Sequence, residues 1–572
     1  MSLTNPFDPR NIVGYIQEIS VNDIKVHFPD SRKMQRFFHH SKSLHWWMIW
    51  GYAVIESESK WFLGKFTKIS LPDKERNDLS EENYKNSEFH PIGYIEILFA
   101  FDLLTFEPEK SINNFPPISS KVYVVNSKFY TDLLNKTKPD SNQDLLSVWQ
   151  DIETWESISL SANKIFQRHC AIVWTTGWWK SYTVSKIIEE LIKKKWAKII
   201  LLDPTGEFSS LDILWEAVIF NSSDENSTFF NYKDLLFEDI CALFRPSGQS
   251  QLPLLEHALK ILTSLPKLKE KYPNDQSHFS STEDGIEVFC KANKSKTDFN
   301  RIIGVSRIWD YKIKSLVTQL YFSAVYDSNR DDSRKFWWVN ENTASYLQSL
   351  IFRIQTLLSD KDANAVFNFS DTAVGASIIN VMESFFSEGN LGSLLRVDLS
   401  NVPEVWDLRS ILVNSLWRYF LHKAKDRAFM QNPVIIFLDE AHLFLWKKVR
   451  DEYSIEVELN AFERIAKECR KYWLYLCIST QRPRDIPEGI LSQMGTFIVH
   501  RLINDKDKQA IENAVSNYSK SFLNFLPSLG KWEALLMGVE FLTTIFLKIQ
   551  ETVYPPNSDT PPLFFKKSES KE

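Results

Sequence analysis

The sequence predicts an α/β protein with a mainly parallel sheet, one strand of which leads into a phosphate-binding loop. A small β-barrel precedes the sheet in the chain, and a helical insertion separates the two parts of the sheet. Three observations predict this fold. Residues 171–195 contain a phosphate-loop-like segment between an apolar strand and an amphipathic helix. Continuous apolar runs, typical of buried parallel strands, recur after residue 390. Short alternating runs before residue 135 favour an antiparallel barrel.

The phosphate-loop-like segment is Ala171-Ile-Val-Trp-Thr-Thr-Gly-Trp-Trp-Lys-Ser-Tyr-Thr-Val184. In the motif G-x-x-x-x-G-K-[ST], the glycines let backbone N–H groups surround phosphate oxygens, the lysine reaches the β- and γ-phosphates and the hydroxyl binds Mg²⁺. Lys180 and Ser181 match this motif, whereas Trp174 and Trp179 occupy its two glycine positions. The nucleotide-binding candidates are Trp174, Thr175, Thr176, Gly177, Trp178, Trp179, Lys180, Ser181 and Tyr182, and Ser181 is also a candidate Mg²⁺ ligand.

The flanks of this segment have the order that a phosphate-binding loop requires. Residues 171–173 form an apolar strand, and apolar residues then recur at helical spacing from Val184 to Ile192. Three lysines, 193–195, place positive charge at the helix C-terminus. A second apolar strand follows at 196–203. The helix N-terminus is therefore expected to face the phosphates.

Tryptophan is more abundant than glycine, with 19 Trp and 16 Gly in 572 residues, although glycine averages about 7% of residues in proteins. We hypothesise that tryptophan has replaced glycine at a subset of positions, a change of one base between GGG and TGG codons. The alternative is a naturally Trp-rich protein. Besides the phosphate loop, the turn-like segments with this pattern are His45–Trp50, Lys60–Leu63, Lys195–Ala197, Leu445–Lys447, Tyr472–Leu474 and Lys531–Glu533.

Composition bounds the class of protein. The chain is long enough for two or three domains, and 44% hydrophobic with 24% charged residues is ordinary for a globular protein. Its five cysteines form no C-x-x-C pair, which predicts a reducing cytoplasm rather than disulfides or a zinc site. No apolar run is long enough to cross a bilayer. A net charge of −6 argues against a uniformly basic DNA-coating protein, but not against a basic channel in a ring.

The chain is predicted to have five segments: a β-barrel at 1–135, the first part of the α/β core at 136–215, a helical insertion at 216–390, the second part of the core at 391–550 and a tail at 551–572. A polar linker at 136–142 and a short helical-looking stretch are expected before the phosphate loop. The Pro-rich, charged tail is predicted to be disordered or to contact a neighbouring subunit.

Two adjacent carboxylates follow the apolar strand Val434–Leu438. This pattern is a Walker B motif, since ligands of open α/β sheets bind at the carboxyl ends of the strands. Asp439 is the candidate Mg²⁺ ligand, through water, and Glu440 the candidate catalytic residue that polarises the attacking water. The alternative is that the two carboxylates only cap the next helix, which the neighbouring phosphate loop disfavours.

A further apolar strand, Leu474–Ser479, ends at Thr480-Gln-Arg-Pro483. Gln481 is therefore the candidate sensor of the γ-phosphate. The alternative is that Gln481, Arg482 and Pro483 only form a turn.

With these motifs in place, the chain resembles the HerA/FtsK family of hexameric DNA-translocating ATPases, and HerA in particular. The resemblance covers most of the chain except residues 216–390. The segments that carry it are Arg168-His169, Leu202-Asp-Pro-Thr-Gly-Glu-Phe208, Leu438-Asp-Glu-Ala-His442, Ile465–Tyr472, Ser479–Pro483, Leu491–Phe497 and Glu533–Leu536.

The resemblance implies a RecA-like P-loop core that binds ATP and Mg²⁺ at the subunit interfaces of a homohexamer, with double-stranded DNA in the pore. It implies that Arg168 and Arg470, or less favourably Arg464, act in the active site of a neighbouring subunit; a surface charge on a helix is the alternative for the last two. His442 and Lys467 resemble scaffold residues of the family.

The resemblance also implies a separate effector, a nuclease or a sirtuin-like NADase, in anti-phage defence, because the sequence shows no nuclease constellation of its own. The alternative is a ring scaffold that no longer hydrolyses ATP, since an indole at 174 or 179 would obstruct the phosphates.

Two further features have simpler interpretations. Cys469 is expected to be a small buried residue rather than a reactive thiol. Lys447 and Lys448 are candidates for DNA contacts but are more typical of solvated loop charge.

Overall fold

The computed structural model describes residues 8–20, 23–29, 37–39, 42–44, 51–57, 60–72, 90–102, 108–109, 115–125, 129, 145–150, 157–175, 179–213, 216–220, 227–271, 279–281, 287–289, 311–326, 336, 339–371, 375–387, 393–445, 447–449, 456–515, 520–541 and 544–557. The chain divides into two compact units. The first comprises Met1–Lys194, Gln481–Arg484 and Leu491–Tyr554, and the second comprises Lys195–Thr480, Asp485–Ile490 and Pro555–Glu572.

The strands are β1 (Ile12–Ile19), β2 (Ile24–His27), β3 (Phe37–His39), β4 (Lys42–Leu44), β5 (Tyr52–Ile55), β6 (Lys60–Ser70), β7 (Ile92–Asp102), β8 (Pro108–Glu109), β9 (Lys121–Val125), β10 (Leu145–Gln150), β11 (Ser157–Ser161), β12 (Cys170–Val173), β13 (Lys198–Asp203), β14 (Glu216–Phe220), β15 (Ser227–Phe229), β16 (Phe279–Ser281), β17 (Glu287–Phe289), β18 (Ala376–Ser377), β19 (Leu394–Asp398), β20 (Val434–Leu438), β21 (Lys447–Val449), β22 (Val457–Leu459), β23 (Leu474–Thr480), β24 (Thr496–Val499), β25 (Glu533–Gly538) and β26 (Ile545–Ile549). The α-helices are α1 (Ala162–Phe166), α2 (Trp179–Lys194), α3 (Phe237–Phe244), α4 (Gln251–Lys271), α5 (Leu316–Ser323), α6 (Glu341–Ser359), α7 (Lys361–Phe367), α8 (Ile378–Ser387), α9 (Leu408–Lys425), α10 (Ala461–Glu468), α11 (Glu488–Leu491) and α12 (Asp505–Ala514).

The first unit begins with the predicted barrel. Its strands run in the order β2-β1-β9-β5-β6-β7, and β7 pairs back to β2, so six antiparallel strands close the barrel. Alternate side chains fill the interior, as the period of two requires. The buried residues of this core include Val13, Ile16, Ile24, Val26, Ala53, Phe62, Phe66, Ile95 and Val122.

The first unit also contains the strand and helix of the phosphate loop. Strand β12 pairs in parallel with β24, and β24, β25, β26, β10 and β11 continue this part of the sheet in antiparallel register. A short helix, α1, precedes the phosphate-loop strand, as the sequence predicts, but the sequence did not indicate strands β10 and β11 before it. Buried and partly buried side chains alternate along most of Leu145–Gln150, which is the period of a strand. The predicted linker at 136–142 lies outside the described residues.

The second unit contains a parallel sheet in the order β23-β20-β13-β19-β14-β15-β18. Strands β13, β19 and β20 are buried at every position, which explains why they appear in the sequence as continuous apolar runs. The parallel, helix-connected sheet confirms the predicted α/β class.

The segment predicted as a helical insertion contains α3 to α8, and in addition five short strands, of which β16 and β17 pair with each other. Strands β14, β15 and β18 extend the parallel sheet at its edge beyond β19. The apolar run Ala217–Phe220 is too short to be distinguished from a helical pattern in the sequence. In the structure this strand lies between β19 and β15, and Val218 and Phe220 are buried. The boundaries of the five predicted segments stay predictions.

None of the helices in the described ranges is both long enough and apolar enough to span a membrane.

Three of the tryptophans that the structure describes have a left-handed backbone conformation. The φ angles are +60° at Trp406, +64° at Trp473 and +71° at Trp532. A bulky L-residue rarely adopts this region, whereas glycine enters it without steric cost. Trp473 and Trp532 are two of the turn positions at which the sequence suggests a lost glycine, so their backbone geometry supports the replacement hypothesis. Trp61, by contrast, lies within strand β6, where tryptophan has no such conflict.

We expect Trp473→Gly to raise the free energy of unfolding by about 1 kcal/mol, because it removes the left-handed strain of a non-glycine residue. Trp473 is 44% exposed, so little packing is lost. Thermal and denaturant unfolding of the purified chain would measure the change.

Trp61→Gly is the matched control. Trp61 is buried and its ring lies 5.2 Å from that of Phe101, so this variant should lose several kcal/mol. Equal losses in both variants would contradict the strain argument.

Candidate nucleotide site

The phosphate loop connects the buried strand β12 to helix α2, which begins at Trp179. Thr175 holds the start of the loop: its N–H donates to the Arg501 carbonyl oxygen at 2.9 Å, and its Oγ1 accepts from the Ile503 N–H at 3.2 Å. The segment after β24 therefore anchors the loop. The candidates Thr176, Gly177 and Trp178 lie outside the described residues, as does the Trp179 side chain.

Lys180 and Ser181 lie in the first turn of α2, where the motif requires them. The Lys180 side chain is buried, and its Nζ lies 4.7 Å from the centroid of the Trp174 ring. Trp174 itself is only 1% exposed. A lysine ammonium over an indole face is a favourable cation–π contact. In this conformation the Lys180 ammonium lies against an indole, at the motif position where glycine would leave room for phosphate.

Two contacts orient the next turn of α2. Thr183 and His500 lie 317 residues apart in the chain, and the Thr183 Oγ1 is 2.9 Å from the His500 Nε2. The His500 Nδ1 is 2.9 Å from the Glu533 carbonyl oxygen, so the neutral ring donates there and accepts from Thr183. The Tyr182 ring meets the Trp532 ring edge-on at 4.2 Å. Helix α2 is thus fixed to the ends of β24 and β25.

Stability of the first unit is expected to fall between pH 7 and pH 5. Burial lowers the pKa of His500 to about 4, although its hydrogen bond to Glu533 opposes this. As the pH falls through about 6.5, His500 is protonated in the unfolded chain, whereas in the folded chain it stays neutral until about pH 4. The free energy of unfolding should therefore be about 2 kcal/mol lower at pH 5. Melting temperatures measured across this range should decrease less for His500→Gln, which keeps a donor and an acceptor. Parallel curves for the two proteins would rule out this role of His500.

Two further candidates belong to the first unit. The Arg168 side chain is 44% exposed, and its Nε lies 3.0 Å from the Glu540 Oε1. Its backbone carbonyl oxygen accepts from the Gly495 N–H at 2.6 Å, which fixes the residue at the start of β12. Gln481 directly follows β23 and is partly exposed. Exposure suits an arginine that reaches a neighbouring subunit, but the roles of Arg168 and Gln481 stay predictions.

The Walker B pair lies at the carboxyl end of β20 in the second unit. Asp439 is fully buried, and its Oδ1 accepts a hydrogen bond from the Ser479 hydroxyl on β23. Glu440 is 7% exposed and has a left-handed backbone, with φ of +45°. Its Oε2 lies 3.3 Å from the His442 Nδ1, which is also 3.4 Å from the Thr480 Oγ1. Strained backbone of this kind is concentrated at functional sites.

A second carboxylate, Asp203, ends the neighbouring strand β13. Its register partner is Asp398 on β19, and the Asp439 N–H donates to the Leu202 carbonyl oxygen at 3.2 Å. Burial and the nearby Asp439 raise the pKa of Asp203 to about 6, while the Arg396 guanidinium opposes this rise. Three adjacent parallel strands therefore end in carboxylates at one edge of the sheet.

Arg464 is exposed on α10, and Arg470 is exposed on the 3₁₀ turn that follows, Cys469–Tyr472. Lys467 pairs with Glu463 at 2.5 Å on the same helix. Cys469 is fully buried, and burial raises the pKa of its thiol to about 11, so the interpretation as a small core residue is confirmed. Lys447 and Lys448 lie on the two-stranded β21–β22 sheet, and their side chains lie outside the described residues.

Sequence reasoning missed the partners of these residues. Arg396, Ser479 and the Thr183–His500 contact were not identified as part of a site. One signal was available for Arg396: an aspartate ends β13 and β19 and directly follows β20, and parallel strands end at the same edge of a sheet. His500 had no such signal, because its partner is distant in the chain.

The residue types present are those that nucleotide binding requires. A lysine and a hydroxyl at the N-terminus of α2 suit phosphate and Mg²⁺, and in the second unit the buried carboxylate of Asp439 is of the ligand type that Mg²⁺ prefers. Trp174 departs from this pattern, as described above. A parallel sheet with a phosphate loop and a Walker B strand defines a P-loop ATPase with a RecA-like core.

Two family models match the chain: "Helicase HerA, central domain" over residues 151–380 and "Helicase HerA-like C-terminal" over residues 422–569. The chain belongs to the HerA/FtsK superfamily of P-loop ATPases, as the sequence resemblance predicts.

Similar proteins include a probable helicase of Methanocaldococcus jannaschii. It is 24% identical over 460 residues, which are 79% of this chain and 75% of the relative. The DNA double-strand break repair helicase HerA of Pyrococcus furiosus is 22% identical over 67% of this chain and 65% of its own length. The solved structure of VirB4 of Thermoanaerobacter pseudethanolicus is 13% identical, with a TM-score of 0.47, over 73% of this chain and 99% of that protein.

Proposed function

We propose that this chain hydrolyses ATP to drive movement along double-stranded DNA. The observation that carries the proposal is the Walker B edge, where the buried Asp439 is held by Ser479 and the buried Glu440 is held beside His442. A capping role alone would not require a carboxylate to be buried in this way, since capping carboxylates are ordinarily solvated.

Each residue has one role in the proposed reaction. Lys180 binds the β- and γ-phosphates of ATP, and Ser181 and Asp439 hold Mg²⁺, the latter through water. The metal neutralises phosphate charge when it is bound. Glu440 polarises the attacking water and Gln481 senses the γ-phosphate. Arg168 and Arg470 stabilise transition-state charge in the site of the neighbouring subunit.

The proposed assembly is a homohexamer with DNA in its pore. The support is the family and the name of the Pyrococcus furiosus relative, a repair helicase. The exposure of Arg168 and Arg470 is compatible with a role at a subunit interface. We further propose that the ring works with a separate effector, a nuclease or a sirtuin-like NADase, in anti-phage defence.

One observation favours a different function, a ring scaffold that assembles the effector without hydrolysing ATP. The Trp174 ring packs against the Lys180 ammonium, so phosphate would have to displace a buried indole. Burial of an indole is worth several kcal/mol, which competes with nucleotide binding.

Hydrolysis and assembly of the purified chain decide between these functions. The motor requires ATP turnover that Lys180→Ala abolishes, together with a hexameric mass by native mass spectrometry. Lys186→Ala is a matched control on the same helix, because its Nζ is occupied by Glu189 and Glu190 at 3.2 and 3.5 Å. A hexamer that co-purifies with its effector but shows no turnover would support the scaffold, and a monomer would refute both.

A further inference from the structure

One buried arginine joins three carboxylates beside the Walker B strand. The Arg396 side chain is 2% exposed, and its Nη1 donates to the Asp203 Oδ2 at 3.0 Å and the Asp398 Oδ2 at 2.9 Å. Its Nε and Nη2 donate to the two oxygens of Asp212 at 2.6 and 2.7 Å. A planar guanidinium can make this set of bonds in fixed directions, which an ammonium cannot.

Two of these carboxylates each hold a loop at the carboxyl edge of the sheet. Asp203 accepts from the Gly206 N–H at 2.8 Å and from the Phe208 N–H at 3.1 Å, so it fixes the loop after β13. Asp398 accepts from the Ser400 N–H at 2.9 Å and its hydroxyl at 2.6 Å, so it fixes the loop after β19. Arg396 is the common partner of both.

The two loops are packed against each other. Gly206 has a φ of +76°, and a Cβ at this position would lie 3.2 Å from the Ser400 Oγ. The backbone of Asp439 is hydrogen-bonded to β13 through the Leu202 carbonyl oxygen. The loop after β13 therefore begins two residues after Leu202, the position that is hydrogen-bonded to Asp439.

We propose that Arg396 is a positioning residue for ATP hydrolysis: it holds Asp203 and Asp398 in the orientation that keeps the two loops, and with them the Walker B edge, in place. This inference rests on the proposed function. Arg396 acts through the two aspartates on the second unit, whereas Lys180 and Ser181 belong to the first. Its loss should therefore lower kcat much more than nucleotide affinity.

The test compares Arg396→Gln, Arg396→Lys and Asp212→Asn in the full-length chain. Arg396→Gln should lower kcat at least about tenfold and change the dissociation constant of a fluorescent ADP less than about threefold. Arg396→Lys keeps the charge but loses the planar fork, and Asp212→Asn weakens one arm, so both should show smaller losses in the same direction. Peptides that contain residues 204–208 should exchange amide hydrogens faster in Arg396→Gln by mass spectrometry.

A matched control is Arg418→Gln. Arg418 is also largely buried and also pairs with two carboxylates, Glu238 at 3.0 Å and Asp239 at 3.4 Å, but it lies on α9. This control should keep the kcat and the exchange rate of residues 204–208. Combining Arg396→Gln with Asp203→Asn should cost little more than Asp203→Asn alone.

Three results would overturn the proposal: unchanged exchange at 204–208 in Arg396→Gln, an equal kcat loss in Arg418→Gln, or full additivity with Asp203→Asn. If Arg396→Gln does not fold, an unchanged kcat and an unchanged exchange rate in both Arg396→Lys and Asp212→Asn would also overturn the proposal. If the parent chain hydrolyses no ATP, the proposed function fails separately, and the exchange measurement still decides whether Arg396 holds the loops.

Discussion

Replacing both Trp174 and Trp179 with glycine is expected to raise ATP turnover at least about tenfold. Trp174 is buried and its ring lies 4.7 Å from the Lys180 Nζ. Glycine at 174 would release the ammonium toward phosphate, and glycine at 179 would permit the backbone conformations that a phosphate-binding loop uses. Steady-state hydrolysis of Mg·ATP by the double variant and the parent would measure the change.

The same substitution should alter stability in two opposite ways. Without nucleotide, loss of the buried Trp174 indole should destabilise the chain by about 3–5 kcal/mol, because it leaves a cavity. Saturating Mg·ADP should then raise the melting temperature of the double variant more than that of the parent, since a ligand that binds only the folded state stabilises it.

Trp473→Gly is the control for the turnover measurement, because it removes a left-handed tryptophan in the second unit, outside the phosphate loop. It should leave turnover unchanged. If the Trp174 and Trp179 variant is no more active than the parent and gains no thermal stability from nucleotide, the tryptophans are not what limits the loop, and the replacement hypothesis fails there.

The second large effect is expected from Glu440→Gln. Glutamine keeps the size of the side chain but cannot polarise water as a carboxylate does, so hydrolysis should fall about 100-fold or more. Nucleotide affinity should remain within a few fold, because Glu440 lies on the second unit and acts on water rather than on phosphate. Glu463→Gln is the matched control, since Glu463 pairs with Lys467 on α10. Retained turnover in Glu440→Gln would exclude Glu440 as the catalytic residue.

Much of the site could be predicted because its motifs are local. The phosphate loop was recognisable from an apolar strand, a lysine–hydroxyl pair and a helical pattern, and the structure places β12 and α2 on those residues. The Walker B strand was recognisable for the same reason, because a parallel strand buried on both faces is continuously apolar.

Other features depend on pairing between distant residues. The β10–β11 hairpin has only five or six residues in each strand, and its place beside β26 depends on residues almost 400 positions away. The hydrogen bonds of Arg396 to Asp203 and Asp212 depend on the register between β13 and β19, and no local sequence pattern indicates that register. The left-handed conformations at Trp473 and Glu440 likewise follow from tertiary structure.

Triplex displacement tests the central proposal, ATP-driven movement along double-stranded DNA, most directly. A third strand annealed to a duplex is released only when a motor passes along the duplex. We expect ATP-dependent release by the Trp174→Gly, Trp179→Gly variant and slower release by the parent, with none after Lys180→Ala. ATP hydrolysis without release, or release that persists after Lys180→Ala, would contradict the account.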